Sequence, residues 1–150
     1  MDVQTRKIAW AAPKNVLAYH TTRVGGISEE HYKSSNLSLD VGDNPKSVKK
    51  NRKSLKTQLH LPYDPIFMKQ IHSATVRKVS KPTDNIVGDS CYTDIKGLPL
   101  AVLSADCLPL LLTNSHGTKI GVIHAGWRGL SSGILENLSL IHISEPTRRS

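Results

Sequence analysis

At 150 residues, with 38% hydrophobic and 21% charged positions, the chain has the length and composition of one ordinary globular domain with a buried core. No run of eighteen apolar residues occurs, which excludes a membrane-spanning helix of that kind, and the opening MDVQTRKIAWAAP lacks the apolar stretch of an export signal. The net charge of +8 invites an anionic partner, while two cysteines, Cys91 and Cys107, are too few for a disulfide framework and are expected reduced in the cytoplasm, as thiols or metal ligands.

In chain order, residues 17–43 are dense in turn signals (TTRVGG, Ser34-Ser35-Asn36, VGDNP) and read as short strands joined by tight turns. Asn44 suits a helix N-cap and Pro45 the first helical position. The helix that follows sets Val48, Leu55 and Leu59 on one face. Arg52 falls on that same face, where a cation requires a carboxylate or carbonyl partner. Lys46, Lys49, Lys50, Arg52, Lys53 and Lys56 crowd this helix, with no acidic residue between Asn44 and Leu61. Such a run can bind a polyanion. No aromatic residue interleaves it, which favours a solvated face over a nucleic-acid surface.

From Pro65 the pattern turns to strands. Ile66-Phe67-Met68 and Val76–Val79 are short; LPLAVLS (98–104), LPLLLT (108–113) and KIGVIHAG (119–126) are nearly continuous apolar runs, as in strands covered on both faces. Asn114–Gly117 suits a tight connection between the last two. After Gly126, Leu130, Ile134, Leu135 and Leu138 recur at helical spacing, so a strand leads through a glycine turn into a helix. The closing SLIHISEPTRRS continues neither that pattern nor a cap, and is similar to translated sequencing-adapter read-through. Residues 139–150 are therefore expected to be a non-native tail, and residues 1–138 the N-terminal part of a single domain.

Three segments concentrate reactive side chains: KQIHS (69–73), SADCLP (104–109) and HAGWRG (124–129). His72, Cys107 and His124 offer two imidazoles and a thiolate, a good ligand set for Zn²⁺, and three protein ligands mark a catalytic rather than a structural site. Their spacing matches no finger pattern, so a buried cysteine with two hydrogen-bonded histidines stays open. Asp106 could orient a ligand histidine or act as a general base. Arg128, at a strand-to-helix turn, could hold an anion together with free backbone N–H groups. Trp127 and Tyr92 could stack on a flat base, and Trp127 suits core packing equally well.

TTRVGGIS (21–28), NLSLDVGDNP (36–45) with Asn51-Arg52, MKQIHS, LSADCLPLLL and IGVIHAGWRGL resemble, in the same order, the YfiH/laccase-domain family of purine nucleoside phosphorylases, formerly called multicopper polyphenol oxidases. The resemblance covers about residues 15–138, and DSCYT (89–93) looks like the family's Asp-Ala-x-x-Thr segment with a serine substituted. It implies an α/β fold, a mixed β-sheet sandwich flanked by helices and incomplete at the C-terminus. It also implies zinc at His72, Cys107 and His124, and purine nucleosides and phosphate as partners. The implied reactions are phosphorolysis of adenosine, inosine, guanosine and S-methyl-5′-thioadenosine, with adenosine deamination beside them. For such chemistry Arg23 and Arg128 suit phosphate, because a guanidinium fork matches its oxygens. Cys107, Asp106 and Asp89 are the catalytic candidates, the two carboxylates as proton carriers; Gln70 and Ser73 are candidates for hydrogen bonds to substrate.

Other readings remain. Seven histidines without a single His-x-His pair argue against a multinuclear copper oxidase, although copper could occupy the same three ligands. A metal-free cysteine hydrolase would use Cys107 as nucleophile and His124 or His72 as base. The non-enzyme readings are a basic binding module and an inactive fragment.

Overall fold

The computed structural model describes residues 2–138; the expected non-native tail, residues 139–150, lies outside them. Two units are distinguished. One comprises the residues up to Ala11 with Leu17–Pro65, the other Ala12–Val16 with the residues from Ile66 onward.

In the first unit the turn-rich sequence makes one short antiparallel ladder, β1 (Thr5–Lys7) on β2 (Tyr19–Thr21), and a 3₁₀ turn at Glu30–Tyr32. Of the strands expected over 17–43, only β2 forms. Gly25, Gly26 and Gly42 lie at φ of 79°, 86° and 92°, left-handed conformations that break an extended run. At Gly26 a side chain has no room either, since a β-carbon would meet the Ser34 carbonyl and the Asn51 amide oxygen within 2.8 Å. Asn51 belongs to helix α1 (Pro45–Gln58) and stitches this loop in place: its Oδ1 accepts from Ile27 N–H at 2.9 Å, and its Nδ2 donates to Ser28 Oγ and the Asn36 carbonyl.

The start of α1 matches expectation. Asn44 Oδ1 accepts the Lys46 N–H at 2.9 Å with Pro45 following the cap, and Val48 and Leu55 are buried. Arg52 finds its partner in a carbonyl, Nε–H donating to Leu37 O at 2.8 Å. Lys46, Lys49, Lys50 and Lys53 are exposed, and Lys56 pairs with Asp64 at 3.0 Å.

The second unit holds β3 (Ile66–Lys69), β4 (Val76–Lys78), β5 (Ile86–Val87), β6 (Ser90–Thr93), β7 (Leu100–Ala101), β8 (Leu108–Thr113) and β9 (Ile120–Ala125), then helices α2 (Trp127–Ser131) and α3 (Ile134–Leu138). β5, β3 and β7 form a parallel three-stranded sheet. A second, mixed sheet runs β4-β6-β9-β8, with β9 antiparallel to both neighbours. Successive residues of a strand point to opposite faces, and β9 uses both. Val122 joins Ile66, Met68, Val79, Cys91 and Leu98 in a core between the sheets. Ile123 and Ala125 pack with Ile134 and Leu138 on the helical side. The result is a mixed α/β architecture of several sheets and few helices.

Of the three apolar runs, only 119–126 is covered on both faces. The run 108–113 forms β8 at the edge of its sheet, where Leu108 is 55% exposed, and 98–104 contributes only the two strand residues of β7. The β8–β9 turn is the expected one, with Gly117 N–H donating to Asn114 O at 3.0 Å. The expected single helix after Gly126 is broken by Gly133 at φ 83°, so Ile134 and Leu138 are buried while Leu130 and Leu135 are exposed.

Candidate metal centre

His72 follows the carboxyl end of β3, Cys107 immediately precedes β8, and His124 lies near the carboxyl end of β9. Residues 35 and 17 positions apart are thus brought by sheet topology to one place. One ligand atom from each lies within 4.8 Å of the other two, and the imidazoles of His72 and His124 meet edge to face at 4.9 Å between ring centres. Tetrahedral Zn²⁺ with S and N ligands needs them about 3.5 Å apart, so the set would have to draw in to hold one. Burial is graded: His124 is buried, Cys107 half-buried and His72 exposed. Among the described residues no second group of three such ligands occurs.

Two further observations fit a small cation here. Gly126, buried beside the site, leaves free the space in which a β-carbon would press on His72 Cδ2 and Cys107 Sγ at 3.3 and 3.4 Å. His124 Nδ1 is occupied by a 2.8 Å hydrogen bond to Asp89 Oδ1, an arrangement that fixes the tautomer of metal-binding histidines.

Asp89 is fully buried. Its carboxylate also accepts the main-chain N–H groups of Ile71, His72 and Ser73 at 3.1, 2.9 and 2.8 Å and the Ser73 hydroxyl at 2.9 Å. Burial alone would raise its pKa; the hydrogen bonds from Ser73, His124 and Ile71 outweigh it and hold the group below the ordinary carboxylate value. The partner of the His124 ring is therefore Asp89; Asp106 is exposed and adjoins Cys107. Burial, then a hydrogen bond from the thiol to Asp106 and the charges of Asp106 and Asp89, push the Cys107 pKa up.

The remaining candidates are placed differently. Gln70 is committed to main chain, its Nε2 donating to Leu103 O at 2.7 Å and its Oε1 accepting Leu103 N–H at 2.8 Å. Ser73 donates to Asp89 and accepts Thr75 N–H. Both support the walls of the site. Arg128 and Trp127 open α2 next to Gly126; the guanidinium lies 5.2 Å from the indole centre. Trp127 is 74% exposed in this chain, whereas Tyr92 packs against the helical-side core. Arg23 lies in the first unit, where its Nη2 donates to Lys33 O at 3.2 Å. Sequence reasoning missed Gly126 as a site residue, and the Gln70–Leu103 clamp; the glycine next to a ligand strand was the one available signal.

Comparison with known proteins identifies the family and its fold. The family model described as multi-copper polyphenol oxidoreductase laccase matches residues 17–145. A Haemophilus influenzae protein named purine nucleoside phosphorylase is 44% identical over 127 residues, 85% of this chain and 52% of its own length. Purine nucleoside phosphorylase YfiH of Escherichia coli is 43% identical over 128 residues, 85% of this chain and 53% of its own. The chain thus spans about half the length of these relatives. Among solved structures, a Neisseria meningitidis protein of family DUF152 matches at a TM-score of 0.80 and 36% identity, covering 93% of this chain and 57% of that one. YlmD from Geobacillus stearothermophilus matches at 0.78 and 33%, covering 83% and 50%.

Proposed function

This chain belongs to the multi-copper polyphenol oxidoreductase laccase family, that of YfiH, and on that premise we propose that it is part of a purine nucleoside phosphorylase with a single zinc ion held by His72, Cys107 and His124. The observation that carries the reading is the convergence of those three ligand atoms within 4.8 Å. A single three-ligand group suits one ion better than a multinuclear copper cluster. Bound there, zinc supplies Lewis acidity, polarising a purine or lowering the pKa of a water.

The substrates proposed are adenosine, inosine, guanosine and S-methyl-5′-thioadenosine. In phosphorolysis a phosphate oxygen bonds to the ribose anomeric carbon as the C–N bond breaks, and the electron pair leaves with the purine. The purine needs a proton and phosphate sheds one; Asp106, exposed beside Cys107, is the carboxylate available to carry it. Arg128 orients the phosphate through its fork, and the exposed indole of Trp127 offers the base a flat face. Deamination of adenosine at the same site would exchange the exocyclic amine for the oxygen of water, releasing ammonia. A thiolate ligand suits a reducing compartment, and the cytoplasm is the location proposed. Among the described residues no helix is long and apolar enough to cross a membrane.

The test is metal removal. EDTA should abolish phosphorolysis and zinc restore it, and Cys107→Ala should lose both bound zinc and both activities. Full turnover in stripped protein, with sensitivity to alkylation alone, would replace this reading by the cysteine hydrolase; recovery with copper but not zinc would change the metal.

A further inference from the structure

We infer that Asp89 is the positioning residue of the metal centre: one buried carboxylate fixes both histidine ligands, His124 through its ring and His72 through its main chain. The inference rests on the metal-site reading above and replaces the role of proton carrier expected for Asp89.

A proton carrier needs a free lone pair and access to substrate. Asp89 has neither. Oδ1 accepts from His72 N–H and His124 Nδ1–H, Oδ2 from Ile71 N–H, Ser73 N–H and the Ser73 hydroxyl, and the residue is 0% exposed. Five donors on two oxygens fill the capacity of a carboxylate.

Each bond has a consequence for a ligand. A carboxylate can only accept, so His124 carries its proton on Nδ1 and Nε2 keeps the lone pair that a metal requires. His72 sits at φ 58°, a left-handed conformation uncommon for a residue with a side chain. Three consecutive N–H groups turned onto one anion hold that conformation. Sheet register puts Asp89 there. Ser90 pairs with Ile123, the next pair outward is Asp89 with His124, and the ladder continues through His124 N–H to Asp89 O at 2.7 Å. Ser73 braces the loop again by accepting Thr75 N–H at 3.2 Å.

The experiment measures zinc affinity of the full chain by chelator competition, beside circular dichroism, for the wild type, Asp89→Asn and Asp43→Asn. Asp43 also accepts several hydrogen bonds but lies in the first unit. Asp89→Asn is expected to weaken zinc about 10- to 100-fold and to alter the d–d spectrum of the cobalt-substituted protein. Asp43→Asn should lower stability with affinity unchanged. Affinity within twofold of wild type in a folded Asp89→Asn would overturn the inference. Should that variant not fold, ¹⁵N-histidine NMR of the metal-free wild type decides: the Nδ1–H tautomer of His124 is expected, and the Nε2–H tautomer would overturn it. Failure of the wild-type chain to bind zinc or copper would remove the metal reading itself, which the tautomer does not test.

Discussion

Gly126 stands beside Cys107 at the separation of a single methyl group: a β-carbon built on Gly126 would lie 3.4 Å from the Cys107 sulfur, and 3.3 Å from His72 Cδ2. The backbone there, at φ −77° and ψ 164°, is open to any residue. What glycine offers here is therefore room beside the ligands and not a special conformation. Alanine should displace the ligands by a few tenths of an ångström and weaken zinc several-fold; valine should weaken it by about tenfold or more. Chelator competition reads both, and an unchanged affinity in Gly126→Val would show that the ligands do not use this space.

Cys91 gives a prediction at alkaline pH. It is 0% exposed in the core between the sheets, and burial pushes its thiol up to about 12 from an ordinary 9.0. With the folded value above the unfolded one, its contribution is complete below pH 9.0 and is lost as pH rises towards about 12. The loss runs at about 1.4 kcal/mol per pH unit once the unfolded thiol ionises. Between pH 8 and pH 10 in urea unfolding, wild type should therefore lose more stability than Cys91→Val, by about 1 kcal/mol. Equal losses would mean that the thiol is not held protonated. At pH 8 Ellman's reagent should titrate one thiol in the folded chain, Cys107.

What the sequence made legible was local chemistry. Asn44 and Pro45 announce the start of α1, Arg52 on an apolar face announces a carboxylate or carbonyl partner, and the three ligand segments announce their residues. What it hid was set by pairing. Asp89 meets His124 only because β6 and β9 are in register, and nothing in a spacing of 35 residues says so. The apolar run 108–113 reads as fully covered, yet strand order leaves β8 at an edge. Likewise the spacing of Leu130 and Ile134 suggested one helix, and the left-handed Gly133 divides it.

Gln70 carries a prediction about the Cys107 segment. Its amide pairs with both main-chain groups of Leu103 and so links the end of β3 to the chain that leads to the thiol ligand. Gln70→Ala leaves that donor and acceptor without their partners, at a cost of about 1–3 kcal/mol. Gln70→Glu keeps the acceptor for Leu103 N–H but sets an oxygen against Leu103 O, and should be as damaging or worse. Denaturant midpoints check the stability. If Gln70 served substrate instead, both variants would keep stability and lose only KM.

Asp43 predicts an acid limb for the first unit. Burial raises its pKa, and the hydrogen bonds from Ser28, Asn36 and Asn44 N–H outweigh that and leave it below its ordinary 3.8. A depressed folded value contributes stability that is present above the unfolded pKa and lost as pH falls through the folded one. Asp43 should therefore add to the acid sensitivity of wild-type unfolding below about pH 4. Asp43→Asn should be less stable at pH 7 by about 1 kcal/mol from its weakened hydrogen bonds, and flatter in acid. A variant that kept the full acid limb would assign that limb to other carboxylates.

Arg128 separates the two proposed reactions, because phosphorolysis consumes phosphate and deamination does not. Its guanidinium is exposed and lies over the exposed Trp127 ring, two residues beyond Gly126. If it orients phosphate, Arg128→Ala should raise the KM for phosphate by about tenfold or more, since a charge-assisted hydrogen bond is worth roughly 1.5–3 kcal/mol. The deaminase kcat/KM should stay within about twofold, as no interaction with a phosphate is lost from that transition state. Arg128→Lys keeps the charge without the fork and should recover only part of the loss. Steady-state kinetics of both reactions on one preparation give the answer. Parallel losses in the two would place Arg128 against the nucleoside they share, and no loss in either would remove it from the site.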